Sequence, residues 1–191
     1  MKAVIFNGMK VDDALTASVH ETLTQTLEAK GWEVEPLLLQ QIEIAPCIGC
    51  FGCWIQTPGR CVLEQGAAEV ARAMIHSDLT IFLSPVTFGG YSYPLKKALD
   101  HMIVLIAPFF AKVEGETHHQ RRYQSYPRLL GLGTMPRADA ESAEIFQSLV
   151  ARNALNMWAP AHAAGVVTGD QDDAAARDEI ERLLAKVEGV A

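Results

Sequence analysis

The chain has 191 residues, 49% hydrophobic and 20% charged, a globular balance that excludes a disordered tail, a collagen-like repeat and a coiled coil. Its 23 acidic and 16 basic residues give a net charge of −7, which leaves no electrostatic footprint for nucleic acid or an anionic membrane surface. The longest uncharged apolar run, Met102 to Ala111, is short and broken by Pro108, so no bilayer span is expected. The amino terminus carries neither an apolar export core nor a small-residue cleavage site, and a cytoplasmic protein is expected.

Lys2 to Phe6 reads as a buried strand halted by Asn7-Gly8. Asp12 and Asp13 offer an N-cap, after which Leu15, Val19, Leu23 and Leu27 recur at helical spacing until Gly31. Glu33 to Leu39 is a second strand, and residues 46–61 form a cysteine-rich loop with Gly49, Gly52 and Pro58-Gly59 as turn residues. Ala67 to His76 is helical, Leu79 to Leu83 is a third strand, and Pro85 to Gly90 is a loop. Pro94 opens a helix that the pattern carries to about Ile106. The polar insertion at 112–127 reads as irregular. Then come a fourth strand (Arg128 to Gly133), a long helix (Asp139 to Met157), a fifth strand (Ala161 to Val167) and a last helix (Asp172 to Val187).

Strands alternating with helices define an α/β fold. The expected architecture is a flavodoxin-like doubly wound sheet of five parallel strands, order 2-1-3-4-5, with helices on both faces of a single domain over residues 1–191. Ligands in such sheets gather at the carboxyl ends of the strands, where strands one and three diverge. The loops from Gly8 to Thr16, from Pro85 to Gly90 and from Thr134 to Pro136 meet there.

All four cysteines, Cys47, Cys50, Cys53 and Cys61, fall in the loop after strand two. In a reducing compartment that clustering points to metal or redox chemistry before a disulfide. Three cysteines at intervals of three, with the Pro58-Gly59 turn returning Cys61, suit thiolate ligation of an iron–sulfur cluster. Zinc is the nearest competitor, though its sites more often pair two separated Cys-x-x-Cys knuckles. Reduced, unligated thiols are the plain alternative. Ile48, Phe51, Trp54 and Ile55 supply an apolar surround.

The run from Pro46 to Trp54, the Thr57-Pro58-Gly59-Arg60-Cys61 segment and the stretch from Ser84 to Ser92 together resemble the iron–sulfur flavoprotein branch of the NADPH-dependent FMN reductase family. The resemblance rests on motifs over about residues 1 to 110 and on element order beyond. It implies bound FMN, a homodimer or homotetramer, and electron transfer from a reduced donor such as NAD(P)H to a small-molecule or protein acceptor. It also implies a [4Fe–4S] cluster on Cys47, Cys50, Cys53 and Cys61. The family's phosphate loop reads Gly-Ser-Pro-Arg, a small residue, Asn and Thr or Ser. Here Gly8 and Thr16 match, while Met9, Val11 and Leu15 stand at the Ser, Arg and Asn positions, and Lys10 offers charge. Asp12 and Asp13 lie near the implied phosphate, where like charges repel. The loop of Pro85, Val86, Thr87, Phe88 and Gly89 is implied to approach the isoalloxazine ring, with Pro85 ending the strand, Phe88 packing and Gly89 admitting the backbone. Thr87 replaces a frequent Tyr.

An acidic pair after strand one also suggests a phosphoacceptor receiver, but strand three ends in Ser84-Pro85 where such a domain needs an aspartate. In the insertion, His118, His119, Arg121 and Arg122 gather positive charge. They suit a cover over the flavin, a contact to a nicotinamide phosphate, a solvated loop or a subunit-contact arm. His162 is read as a packing residue, and Phe146, Leu149, Val150 and Trp158 as core. No Ser-His-Asp or Cys-His constellation stands out, so no catalytic side chain is expected. Three functions follow: an oxidoreductase with FMN and a cluster, a non-catalytic redox-sensing or metal-binding protein that has lost FMN, and a flavin or quinone reductase without a cluster.

Overall fold

The computed structural model describes residues 1–63 and 66–189; positions 64–65 and 190–191 of the expected domain lie outside the described residues. Strands β1 (Lys2–Asn7), β2 (Glu33–Leu38) and β3 (Leu79–Pro85) come first, joined by helices α1 (Ala14–Ala29), α2 (Gly52–Ile55) and α3 (Ala67–Ile75). Helix α4 (Tyr93–Asp100) is followed by β4 (Ile106–Val113), β5 (Glu116–Arg121), β6 (Arg128–Met135), α5 (Ala140–Asn156), β7 (His162–Thr168) and α6 (Asp173–Glu188). The main sheet runs β2-β1-β3-β6-β7, every pair parallel, which is the order 2-1-3-4-5 among its own strands.

Near-continuous apolar strands bury both faces of this sheet, as parallel sheets require. Ala3, Ile5, Ile81 and Leu132 face α1 and α6 through Leu23, Leu27, Ile180 and Leu183. Their neighbours Val4, Phe6 and Phe82 point the other way, against Val70 and Met74 of α3, Leu95 of α4 and Phe146 and Val150 of α5. Three aspartates cap long helices: Asp13 accepts from Thr16, Asp139 from Glu141 and Ser142, and Asp172 from Ala175. The register sets the upper edge of the sheet, with Asn7 opposite Leu38 and Leu83, Pro85 opposite Thr134 and Met135 opposite Thr168. No helix among the described residues is long and apolar enough to cross a membrane.

Two expectations are corrected between α4 and β6. The helix expected to reach Ile106 stops at Asp100, followed by a 3-10 turn over Met102–Leu105. Side chains take the carbonyls that a longer helix needs: Arg122 binds Val104 and Ile106, Trp54 binds Ile103 and Ile106, and Tyr126 binds Leu105. The insertion expected to be irregular begins instead with an antiparallel β4–β5 hairpin, turning at Glu114 (φ 50°) and Gly115 (φ 85°). The cysteine loop also contains one helical turn, α2.

Candidate functional site

The loops after β1, β3, β6 and β7 enclose an open cleft of about 510 Å³, in the size range of small-molecule sites. Lys10, Val11, Asp12, Asp13 and Leu15 form one wall, Pro85, Val86 and Thr87 another, and Thr134, Pro136 and Gly169 complete it. This is the switch point expected from the strand order. Of the residues implied by resemblance, Lys10, Pro85, Val86 and Thr87 line the cleft.

Gly8, Thr16, Phe88 and Gly89 lie around the cleft without lining it. A β-carbon on Gly8 would stand 2.5 Å from Ser92 Oγ and 2.8 Å from Leu95 Cβ, so glycine lets the first loop seat on the start of α4. Ser92 donates its hydroxyl to the Gly8 carbonyl. Thr16 is buried: its hydroxyl donates to Asp13 Oδ2 at 2.7 Å and lies 2.7 Å from Thr134 Oγ1, and its N–H donates to Asp13 Oδ1 at 3.0 Å. Thr87 and Gly90 exchange backbone hydrogen bonds of 3.0 and 2.9 Å, closing a turn with Phe88 (φ 50°) and Gly89 (φ 75°) at its tip. Phe88, expected to pack, is 98% exposed: the turn holds its side chain outward.

Flavin fits this cleft unevenly. Pro85, Val86 and Pro136 suit a neutral ring system. The start of α1 does not fit a phosphate dianion, because the Asp13 carboxylate already takes both first-turn donors of Thr16 and Asp12 lies beside it. At the root of the loop, Asn7 Oδ1 accepts the Met9 N–H at 2.8 Å, and Asn7 Nδ2 is buried with no acceptor among the described residues.

The four cysteines line a second, smaller pocket, closed by Ile48, Phe51, Val62, His101, Ile103 and Val104. Left-handed conformations at Gly49 (φ 64°) and Phe51 (φ 54°) start the α2 turn, and Gly59 N–H donates to Cys53 O at 2.9 Å to bring Cys61 back. His101, buried, donates Nε2–H to Ala45 O at 2.6 Å, since a carbonyl only accepts. Burial pushes the Cys53 thiol up, and Cys61, Cys47 and Cys50 add to the shift. Cys47 and Cys50 are exposed, Cys61 is half-buried and Cys53 is buried. Among the described residues no three His, Cys, Asp or Glu side chains converge closely enough to hold a single metal ion. The donor set fits an iron–sulfur cluster in number and softness, and all four thiols line one mostly apolar pocket.

The basic insertion faces the cysteine segment, and none of its residues lines the cleft. His119 lies between Trp54 and Phe110, at centroid separations of 4.6 and 4.9 Å, and Arg121 stacks on Trp158 at 4.6 Å. His118 is buried between Asn156 Oδ1 and Glu116 Oε2, at 2.8 and 2.9 Å. His162, expected to pack, is exposed because it opens β7 on an edge of the sheet. Phe146 and Val150 are fully buried, whereas Leu149 and Trp158 are half-buried. Pro136 and Asp13 belong to loops that the strand order already placed at the cleft, whereas Gly169, just after β7, was not among the expected residues.

This strand order, with its cleft where β1 and β3 diverge, defines a flavodoxin-like fold. A sequence model described as NADPH-dependent FMN reductase matches residues 1–123, more than half of the chain, and the chain belongs to that family of oxidoreductases. Its curated relatives include proteins named iron–sulfur flavoprotein. The protein of that name from Methanocaldococcus jannaschii is 31% identical over 100 residues, 52% of this chain and 51% of that protein. The one from Archaeoglobus fulgidus is 29% identical over 103 residues, 54% of this chain and 46% of that protein. The chain spans about half the length of the curated relatives it matches. In fold it is similar to an NAD(P)H:quinone oxidoreductase from Methanothermobacter marburgensis, with TM-score 0.65 and 14% identity over 98% of this chain and 96% of that one. An FMN-dependent NADH-azoreductase from Bacillus anthracis, solved with FMN, gives TM-score 0.66 and 15% identity over 100% and 99% of the two chains.

Proposed function

We propose that this protein is a cytoplasmic flavin-dependent oxidoreductase that takes electrons from NAD(P)H or a small electron-transfer protein and carries a four-cysteine iron–sulfur site. FMN is the flavin of its family. The observation that carries this reading is an open cleft at the carboxyl ends of the sheet strands in an FMN reductase family member that also folds a second pocket lined by all four thiols. A flavin takes up two electrons together and gives them up singly, and an iron–sulfur cluster accepts one at a time.

In this reading Pro85, Val86 and Thr87 seat the ring, Gly89 and Phe88 shape the turn behind it, and Lys10, with Gly8 and Thr16 beneath it, forms the opposite wall. Cys47, Cys50, Cys53 and Cys61 ligate the cluster, and Phe51 and Ile103 keep water from it. No side chain of the cleft is assigned acid–base work; the chain binds, orients and excludes solvent. The protein assembles as a homodimer or homotetramer, with Phe109 and Phe110 of β4, both 66% exposed, as apolar contact surface.

Anaerobic incubation with FMN, iron and sulfide tests the proposal. The expected spectrum has a flavin band and a broad sulfide-to-iron shoulder. Cys50→Ser abolishes the shoulder and keeps the flavin band; loss of both bands together contradicts the separation of the two sites. A second reading, favoured by the carboxylates of Asp12 and Asp13 in the cleft, is a non-catalytic redox-sensing protein. It predicts no bound flavin even in excess.

A further inference from the structure

We infer that the Asp13 carboxylate stands in for the terminal phosphate of the flavin, so that the cleft takes an unphosphorylated flavin at least as well as FMN. This rests on the flavin reading of the cleft and narrows its ligand. The first turn of a helix presents N–H groups that serve an incoming anion. At the start of α1 the chain supplies that anion itself. Asp13 accepts the Thr16 N–H at 3.0 Å and the Thr16 hydroxyl at 2.7 Å. Thr16 cannot swing out to a ligand, because its oxygen is buried against Thr134 Oγ1 at 2.7 Å.

The side chains of the remaining wall are no better suited to a dianion. Val11 and Leu15 have no side-chain donor, and the Met9 N–H is already engaged by Asn7 Oδ1. Lys10 contributes one positive charge to the lining; Asp12 and Asp13 contribute two negative ones. A phosphate group and a carboxylate are both acceptors and both anionic, so bringing them together costs Coulomb energy with no hydrogen bond in return. A polyol chain ending in a hydroxyl is different. It can donate to either carboxylate, and it carries no charge to repel. The neutral wall of Pro85, Val86 and Pro136 is indifferent to the change, since it meets only the ring.

Asp13 also caps α1, and that alone would explain its two hydrogen bonds. Discrimination between two flavins separates the roles. Asn caps a helix about as well as Asp does, so Asp13→Asn keeps the fold while removing the charge; Asp13→Ser is a second capping variant. The full-length chain, stripped of flavin, is titrated with riboflavin and with FMN by quenching of flavin fluorescence. The wild type is expected to bind riboflavin at least as tightly as FMN. Asp13→Asn is expected to tighten FMN about tenfold or more and to move riboflavin less than about threefold, the size of effect expected for removing one nearby like charge. Tighter binding of FMN by the wild type, or a variant that shifts both flavins alike, overturns the inference and leaves the flavin reading standing. Binding of neither flavin removes the flavin reading and this inference with it.

Discussion

A β-carbon at position 89 would stand 2.5 Å from Ile145 Cγ2, and the backbone there has φ 75°, so two independent constraints select glycine. Gly89→Ala is expected to lower stability by roughly 1–3 kcal/mol in urea denaturation, the usual cost of a side chain held in a sparsely populated backbone region. Phe88, one residue earlier, occupies the left-handed region with its ring in solvent. Asn tolerates that conformation better than an aromatic residue does, so Phe88→Asn is expected to stabilise the isolated chain by about 0.5 kcal/mol. An unchanged denaturation midpoint would mean that the turn carries no strain. A strained, exposed aromatic at the rim of a cleft is costly to keep for folding alone, which directs attention to what it meets when the site is occupied.

At the scale of elements, the β4–β5 hairpin holds the cysteine segment in place. Trp54 reaches it through His119 and ties α2 to the carbonyls of Ile103 and Ile106. Glu116 fastens the other side of the hairpin to Arg152 of α5 and to His118. The Arg152 guanidinium first, and His118 second, hold the Glu116 carboxyl at about 2, against an ordinary 4.5. A carboxylate whose acidity is strengthened by folding adds stability above its unfolded value, and that stability is lost as pH falls from about 4.5 through about 2. Glu116→Gln is therefore expected to be less stable than the wild type at neutral pH and equal to it below about pH 2, as followed by unfolding across that window. Glu116 is exposed, so solvent screening keeps the effect small. The hairpin is also where the sequence was hardest to read. Its strands carry Lys112, Glu116, Thr117 and Gln120 on a half-solvated surface, without the apolar alternation that marks a strand against a core. The apolar run from Met102 to Ile106 carried no sign that Trp54, Arg122 and Tyr126 would claim its carbonyls.

Over the whole molecule, β1, β3 and β6 were legible because each buries apolar residues on both faces, while the edge strands β2 and β7 bury less, and the strand order follows from alternation with helices. The position of the cleft follows from that order. Which way Asp13, Thr16 and Phe88 point does not, because local hydrogen bonds between loops distant in sequence decide it, as between Thr16 and Thr134. The same layering predicts a gradient of protection: amides of β1, β3 and β6, in the middle of the sheet, are expected to exchange slowest with deuterium, and those of β4 and β5 much faster. Equal exchange in the hairpin and the central strands would contradict it. The floor under the cysteine thiols, formed by His101, Ile103 and Val104, and the His119 ring that buttresses Trp54 both come from chain synthesised after the thiols themselves. On a ribosome, residues 47 to 61 emerge before their docking surface exists, so the proposed cluster is expected to load only once residues 101 to 119 have emerged and folded against them.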